Sequence, residues 1–257
     1  MKVLALLSLL LLAPLAHSEH ITIAAASDLQ FAMDALLAEF KMHEPEAVVK
    51  VVYGSSGTFN AQITQGAPFD LYFSADISYP EALHAQGFAA SAPRPYATGR
   101  LVLWSTIEDV SALELSALAD TRFKRIAIAN PRHAPYGKRA EETLESLGIL
   151  QQVSSRLVLG ENISQTAQFV QTGNAEAGLV ALSLVSAPAL RSEGWYQLIP
   201  EELHAPLLQG YMVTTRAKDN SLAWRFAAFV AAAPAQAILA AYGFSLPAES
   251  AGSAASN

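Results

Sequence analysis

The sequence predicts an α/β protein with mainly parallel sheets flanked by helices, and three observations carry that prediction. Short apolar runs alternate with amphipathic segments along nearly the whole chain, the pattern of repeated strand–helix units. At four junctions an apolar run hands over to a segment that reads as a helix: at Ser27 after ITIAAA, at Ser56 after VVKVVYGS, at Tyr136 after RIAIANPRHAP, and at Ile163 after RLVLGEN. Two stretches rich in proline or glycine, APRPYATG ending at Gly99 and LHAPLLQG ending at Gly210, interrupt the alternation and mark where the chain changes lobe.

The elements follow in order. Lys2 precedes the apolar run from Val3 to Leu12, and Pro14, Ala16 and Ser18 follow it, so residues 1–18 read as a secretory signal cut after Ser18. That run is too short to cross a bilayer, and the mature chain is expected to be exported and soluble. Strands are expected at residues 21–26, 47–53, 70–74, 101–104, 125–130, 156–159, 177–180 and 211–215. The helix after Ser27 puts Leu29, Met33, Leu36, Leu37 and Phe40 on one stripe and Asp34, Glu39 and Lys41 elsewhere. Ser27 with Gln30 has capping-box spacing, Asn162 with Gln165 offers an asparagine version, and Pro135 suits a first helical turn. Two alanine-rich helices, 221–232 and 234–242, take Trp224, Phe226 and Phe229 as packing anchors, and the small polar tail 251–257 reads as disordered. One lobe is assigned residues 19–97 plus 211–250 and the other 98–210; a single large sheet with two proline-bearing surface loops is the alternative.

Composition excludes several classes of function. With no cysteine in 257 residues, no disulfide, zinc–thiolate or catalytic-thiol chemistry is available. A net charge of −7, more negative once Lys2 leaves with the leader, argues against nucleic acid as a partner. Of the 6 histidines, His43, His84, His133 and His204 fall in separate helix ends and loops, which is no metal-binding spacing.

The four junctions carry the chemistry. The first N–H groups of a helix have no acceptor within it and lie at the positive end of its dipole, so each junction suits an anion. Four such ends at about half a charge each would offset a dianion without a lysine or arginine. Taken singly, Ser27 and Ser56 read as helix caps, Tyr136 as an aromatic beside a turn and Ile163 as a core residue; recurrence at four junctions, together with the resemblance described next, is what favours a site.

Several segments, in order and at matching separations, carry a family resemblance: AAAS ending at Ser27, GSSGTFNAQI from Gly54, GAPFDLYFSAD from Gly66, NPRHAPYGK from Asn130 and the YGF that ends at Phe244. From Ile21 to Phe244 the chain resembles the periplasmic molybdate-binding components of ABC importers, within the two-lobed type II substrate-binding proteins. The resemblance implies two lobes with the ligand cleft between them, a periplasmic location, a membrane permease as partner, a monomer, no catalysis, and no cofactor beyond the cargo, molybdate or tungstate. By position it implies that Ser27 and Ser56 donate through hydroxyl and N–H, and that Tyr136 and Ile163 donate mainly through backbone N–H. Where some family members add a tyrosine after the strand GLVALS, this chain has Ala181, and the Tyr136 hydroxyl is the expected substitute.

Such a donor-only cage satisfies molybdate, tungstate or sulfate, which carry no proton near neutral pH, and mismatches the O–H of hydrogen phosphate. Asp28 is expected to be an acidic first-turn residue with its side chain outside the cleft, so that no titrating group touches the ligand. Two alternatives stay open: a sister binder of sulfate or another oxyanion, and a serine hydrolase. The second is weak, because Gly54-Ser55-Ser56-Gly57 lacks the G-x-S-x-G spacing.

Overall fold

The computed structural model describes residues 20–246, so the expected leader, tail and outermost ends of the first lobe lie outside the described residues. Among the described residues the strands are β1 (His20–Ala26), β2 (Val48–Gly54), β3 (Leu71–Ser74), β4 (Arg94–Gly99), β5 (Leu101–Ser105), β6 (Ile126–Ala129), β7 (Leu157–Gly160), β8 (Ala177–Ala181), β9 (Trp195–Leu198) and β10 (Leu207–Val213). The α-helices in the same span are α1 (Gln30–His43), α2 (Ser56–Thr64), α3 (Ser78–Ala85), α4 (Pro135–Ser146), α5 (Leu150–Val153), α6 (Ile163–Gln171), α7 (Leu182–Val185), α8 (Ser221–Val230) and α9 (Ala233–Ala241).

These strands form two five-stranded sheets, ordered β2-β1-β3-β10-β4 and β7-β6-β8-β5-β9, which replaces the single-sheet alternative. Both sheets are mixed rather than mainly parallel. In the first, β1 pairs in parallel with β2 and β3 while β10 runs antiparallel to β3 and β4. In the second, β6 pairs in parallel with β7 and β8 while β5 runs antiparallel to β8 and β9. The parallel half of each sheet is the half built from strand–helix units. The antiparallel half comes from strands that enter or leave a lobe, and these need no crossover helix.

The proline-rich stretch ending at Gly99 is a strand rather than a connecting loop. β4 lies at the sheet edge, paired with β10 and bridged on its other side only at Thr98, to Ser245, so the missing N–H of Pro95 costs no ladder bond on the open side. The second stretch likewise starts β10 at Leu207. The chain therefore leaves the first sheet at Arg100 and rejoins it at Leu207, inside the boundaries 98 and 210 read from the sequence. β9 carries no sequence signal: it is a four-residue edge strand whose Trp195, Tyr196 and Leu198 are exposed.

The first lobe buries both faces of its sheet. Ile21, Ile23 and Ala25 pack with α1, α8 and α9, and Ala24 packs on the opposite face with Phe59 and Ile63 of α2. Leu29, Met33, Leu36 and Phe40 of the expected stripe are buried. Phe226 anchors the C-terminal helices, stacking edge-on against Phe40 with centroids 5.0 Å apart. Trp224 does not; it is 39% exposed and donates its indole N–H to Lys218 O. The second lobe has its own core around Trp104, Phe123 and Leu144, and Ala26 and Ala75 of the first lobe pack into that cluster, so the lobes meet through small side chains.

Candidate functional site

Between the sheets, the loops at the carboxyl ends of β1, β2, β3, β6 and β7 converge, which is where open α/β sheets bind ligands. Ser27, Ser56, Tyr136 and Ile163 all line one cavity there, and all are buried. Neither lysine nor arginine lines the cavity. Its walls are helix starts from both lobes. Ser56 and Ile163 are the first residues of α2 and α6, Tyr136 is the second of α4, and Ser27 opens a 3-10 turn that runs into α1.

The hydroxyls do not act as caps. Ser56 Oγ accepts from Ala75 N–H at 3.0 Å, which leaves its own proton to donate, and the Tyr72 hydroxyl bonds Ser56 O at 2.7 Å. Ser27 and Gln30 form no capping box. Instead Ser27 Oγ donates to Asn162 Oδ1 and accepts from Ser164 N–H, both at 3.2 Å, while Ser164 Oγ bonds Ser27 O at 2.8 Å and Gln30 Oε1 at 3.0 Å. The expected asparagine cap does form, with Asn162 Oδ1 accepting from Gln165 N–H at 3.0 Å. The spacing of Ser27 and Gln30 suggests a local pair, but the opposite lobe offers both side chains competing partners.

Other contacts also tie the lobes together. Gly57 N–H donates to His133 O at 2.8 Å, and Ser55 Oγ lies 2.8 Å from His133 Nδ1, whose other ring nitrogen is 3.6 Å from Glu161. Arg139 of α4 is buried, pairs with Glu142, and reaches Asp76 of the first lobe at 3.7 Å. His133 thus meets Ser55 as part of the contact between lobes, and Ser56 meets no histidine. Among the described residues no group of histidine, cysteine and carboxylate side chains could hold a metal ion.

Asp28 departs from expectation. Its side chain is not outside the cleft: it is 1% exposed and lines the same cavity. Oδ2 accepts from the Tyr136 hydroxyl at 3.1 Å and from Gln209 Nε2 at 2.6 Å, and Oδ1 has no hydrogen-bond partner among the described residues. Burial pushes the carboxyl up to about 6, against the opposing pull of the Gln209 and Tyr136 hydrogen bonds and of the nearby Asp28 and Leu29 backbone N–H groups. The Tyr136 hydroxyl is therefore engaged by Asp28 and Gln209 rather than standing in for the tyrosine absent at Ala181. Gly99 makes room for this network, since a Cβ there would collide with Tyr136 Oη and Gln209 Nε2. Gln209 escapes a reading of the sequence, although a lone amide inside the apolar strand LLQGYMV is the available signal: it is fully buried and must find partners.

The model for bacterial extracellular solute-binding proteins matches residues 21–245, almost the whole of the described chain. The chain belongs to that family. Its relatives include the molybdate-binding protein ModA of Azotobacter vinelandii, 35% identical over 92% of this chain and 94% of its own length. A second is ModA of Rhodobacter capsulatus, 35% identical over 90% of each chain. The solved structure of the periplasmic molybdate-binding protein of Azotobacter vinelandii superposes with a TM-score of 0.82 at 31% identity, covering 89% of this chain and 100% of that one. Membership in this family gives the two-lobed α/β architecture its function class: a solute-binding protein acting outside the cytoplasm.

Proposed function

We propose that this chain captures molybdate between its two lobes and delivers it to the membrane permease of an ABC importer, in the periplasm and as a monomer. The observation that supports this reading most directly is that four helix starts, two from each lobe, border one buried cavity whose lining contains no cationic side chain. The positive dipole ends of these helix starts border a shared volume, the arrangement a fully deprotonated oxyanion needs. We assign Ser56 as hydroxyl and N–H donor, and Tyr136, Ile163 and Ser27 as N–H donors, the Ser27 hydroxyl being spent on its bridge to Asn162 and α6. Ligand docks on one lobe and the other closes over it, and the contacts of Gly57, Ser55 and Ser27 with the second lobe form only on closure.

Calorimetric titration with molybdate, tungstate, sulfate and phosphate side by side tests the reading. Saturable one-to-one binding of molybdate, with tungstate close to it and sulfate and phosphate far weaker, is the expected outcome; sulfate binding as tightly as molybdate would replace molybdate with sulfate as cargo. In the same assay, Ser56→Ala should weaken molybdate binding by about 1.5 to 3 kcal/mol, the range for a hydrogen bond to a charged partner. Its melting temperature without ligand should fall as well, because the buried Ala75 N–H loses its acceptor. Normal affinity in that variant would remove the Ser56 hydroxyl from the site.

A further inference from the structure

We propose that Asp28 serves the site as a neutral acid whose Oδ1–H donates to the bound oxyanion, so that each anion captured brings one proton into the protein from solvent. The proposal rests on the oxyanion reading above and adds a residue and a proton to it.

The placement of the proton follows from the hydrogen bonds. Oδ2 already accepts from two donors, the Tyr136 hydroxyl and the Gln209 amide, which is how the carbonyl oxygen of a carboxylic acid is satisfied. Oδ1 is buried, lacks a partner among the described residues, and belongs to a side chain on the cavity wall. A carboxylate there would leave a buried negative oxygen unpaired beside a dianion; a carboxylic acid turns the same oxygen into a donor. Gln209 is held in the matching orientation, because its Oε1 accepts from the Tyr96 hydroxyl and its Nε2 must therefore face Asp28.

Among the described residues, no cationic side chain is paired with Asp28. From α4 it meets Tyr136, from β4 the Tyr96 ring lies behind Gln209, from β10 it meets Gln209, and from α7 the Ser183 hydroxyl bonds its backbone oxygen. Burial holds both phenols well above their ordinary range, so they stay neutral. Arg139 is committed to Glu142 and Asp76, and His133 to Ser55 and Glu161. With the free carboxyl near 6, it is mostly ionised at pH 7.5 and must pick up a proton to admit the anion.

The test is calorimetry with molybdate at pH 7.5 in buffers of different ionisation enthalpy, on the wild type and on Asp28→Asn, whose amide keeps an acceptor for Tyr136 and Gln209 and a neutral donor towards the cavity. Wild type should take up about one proton per molybdate, and its affinity should fall about tenfold between pH 7 and pH 8. Asp28→Asn should take up none and lose the pH slope. The wild-type slope stands by itself if the variant fails to fold. Molybdate binding without proton uptake would overturn the role of Asp28 and leave the oxyanion reading intact, as would uptake that persists in Asp28→Asn. No molybdate heat at any pH would overturn that reading and this proposal together.

Discussion

Gly57→Ala should abolish most of the affinity while leaving both lobes folded. Gly57 is the second residue of α2, where it faces the second lobe across the cleft, and its N–H donates to His133 O. A Cβ built there stands 2.7 Å from His133 O and 2.9 Å from His133 Cα, both backbone atoms that cannot rotate aside. On the proposed hinged closure, the obstruction belongs to the shut form alone. Forcing a methyl into such packed space costs about 1 to 3 kcal/mol, which weakens binding by roughly fivefold to more than a hundredfold. The open form feels the opposite effect, since alanine is favoured over glycine in a helix by about 1 kcal/mol. Expected together are a melting temperature without ligand that is unchanged or slightly raised and a molybdate titration shifted to far weaker binding. Undiminished affinity would mean that closure does not bring α2 against His133.

Asp28→Asn should stabilise the unliganded protein at alkaline pH and do nothing for it in acid. The carboxyl sits near 6 in the folded protein against 3.8 for an exposed one. A raised folded value means the stabilising contribution is complete below about pH 4 and is lost as pH rises through about 6. By pH 8 the burial of the ionised group costs up to about 3 kcal/mol, since each tenfold change in a proton-binding constant is worth about 1.4 kcal/mol. Asparagine keeps the hydrogen bonds to Tyr136 and Gln209 without the charge. Urea unfolding of both proteins at pH 4.5 and pH 8 checks this: the variant should gain stability over wild type at pH 8, with the gap closing at pH 4.5. Identical pH dependence in the two would show that Asp28 is not a buried ionisable group.

Much of the architecture is legible because it repeats. An apolar strand followed by a helix start is a local pattern, so the order of β1, β2, β6 and β7 and the four junctions after them can be read along the chain. The strands that escape are those without that pattern. β4 carries Pro95, which argues against a strand unless the strand lies at an edge, and edge position belongs to the sheet. β9 lacks alternation because both its faces are partly exposed. Mainly parallel pairing is what strand–helix alternation implies, and it fails for β5 and β10 because they lie where the chain passes between lobes, with no helix to carry them back in parallel.

By itself the sequence determined which residues open helices at the ends of apolar runs, that the site could do without lysine and arginine, and that Ser27, Ser56, Tyr136 and Ile163 were the candidates. Those properties depend on residue type and spacing over a few positions, and the dipole of a helix start is present wherever the helix goes. Only the tertiary structure decided what the neighbouring side chains do. Ser27 turns from a cap into a bridge because Asn162 and Ser164 arrive from the other lobe, 135 and 137 positions away. Asp28 turns from a solvated first-turn carboxylate into a buried group because Tyr136 and Gln209, 108 and 181 positions away, enclose it. The ionisation of a carboxyl is set by the water it loses and the donors it gains, and both are supplied by distant chain that no local pattern encodes.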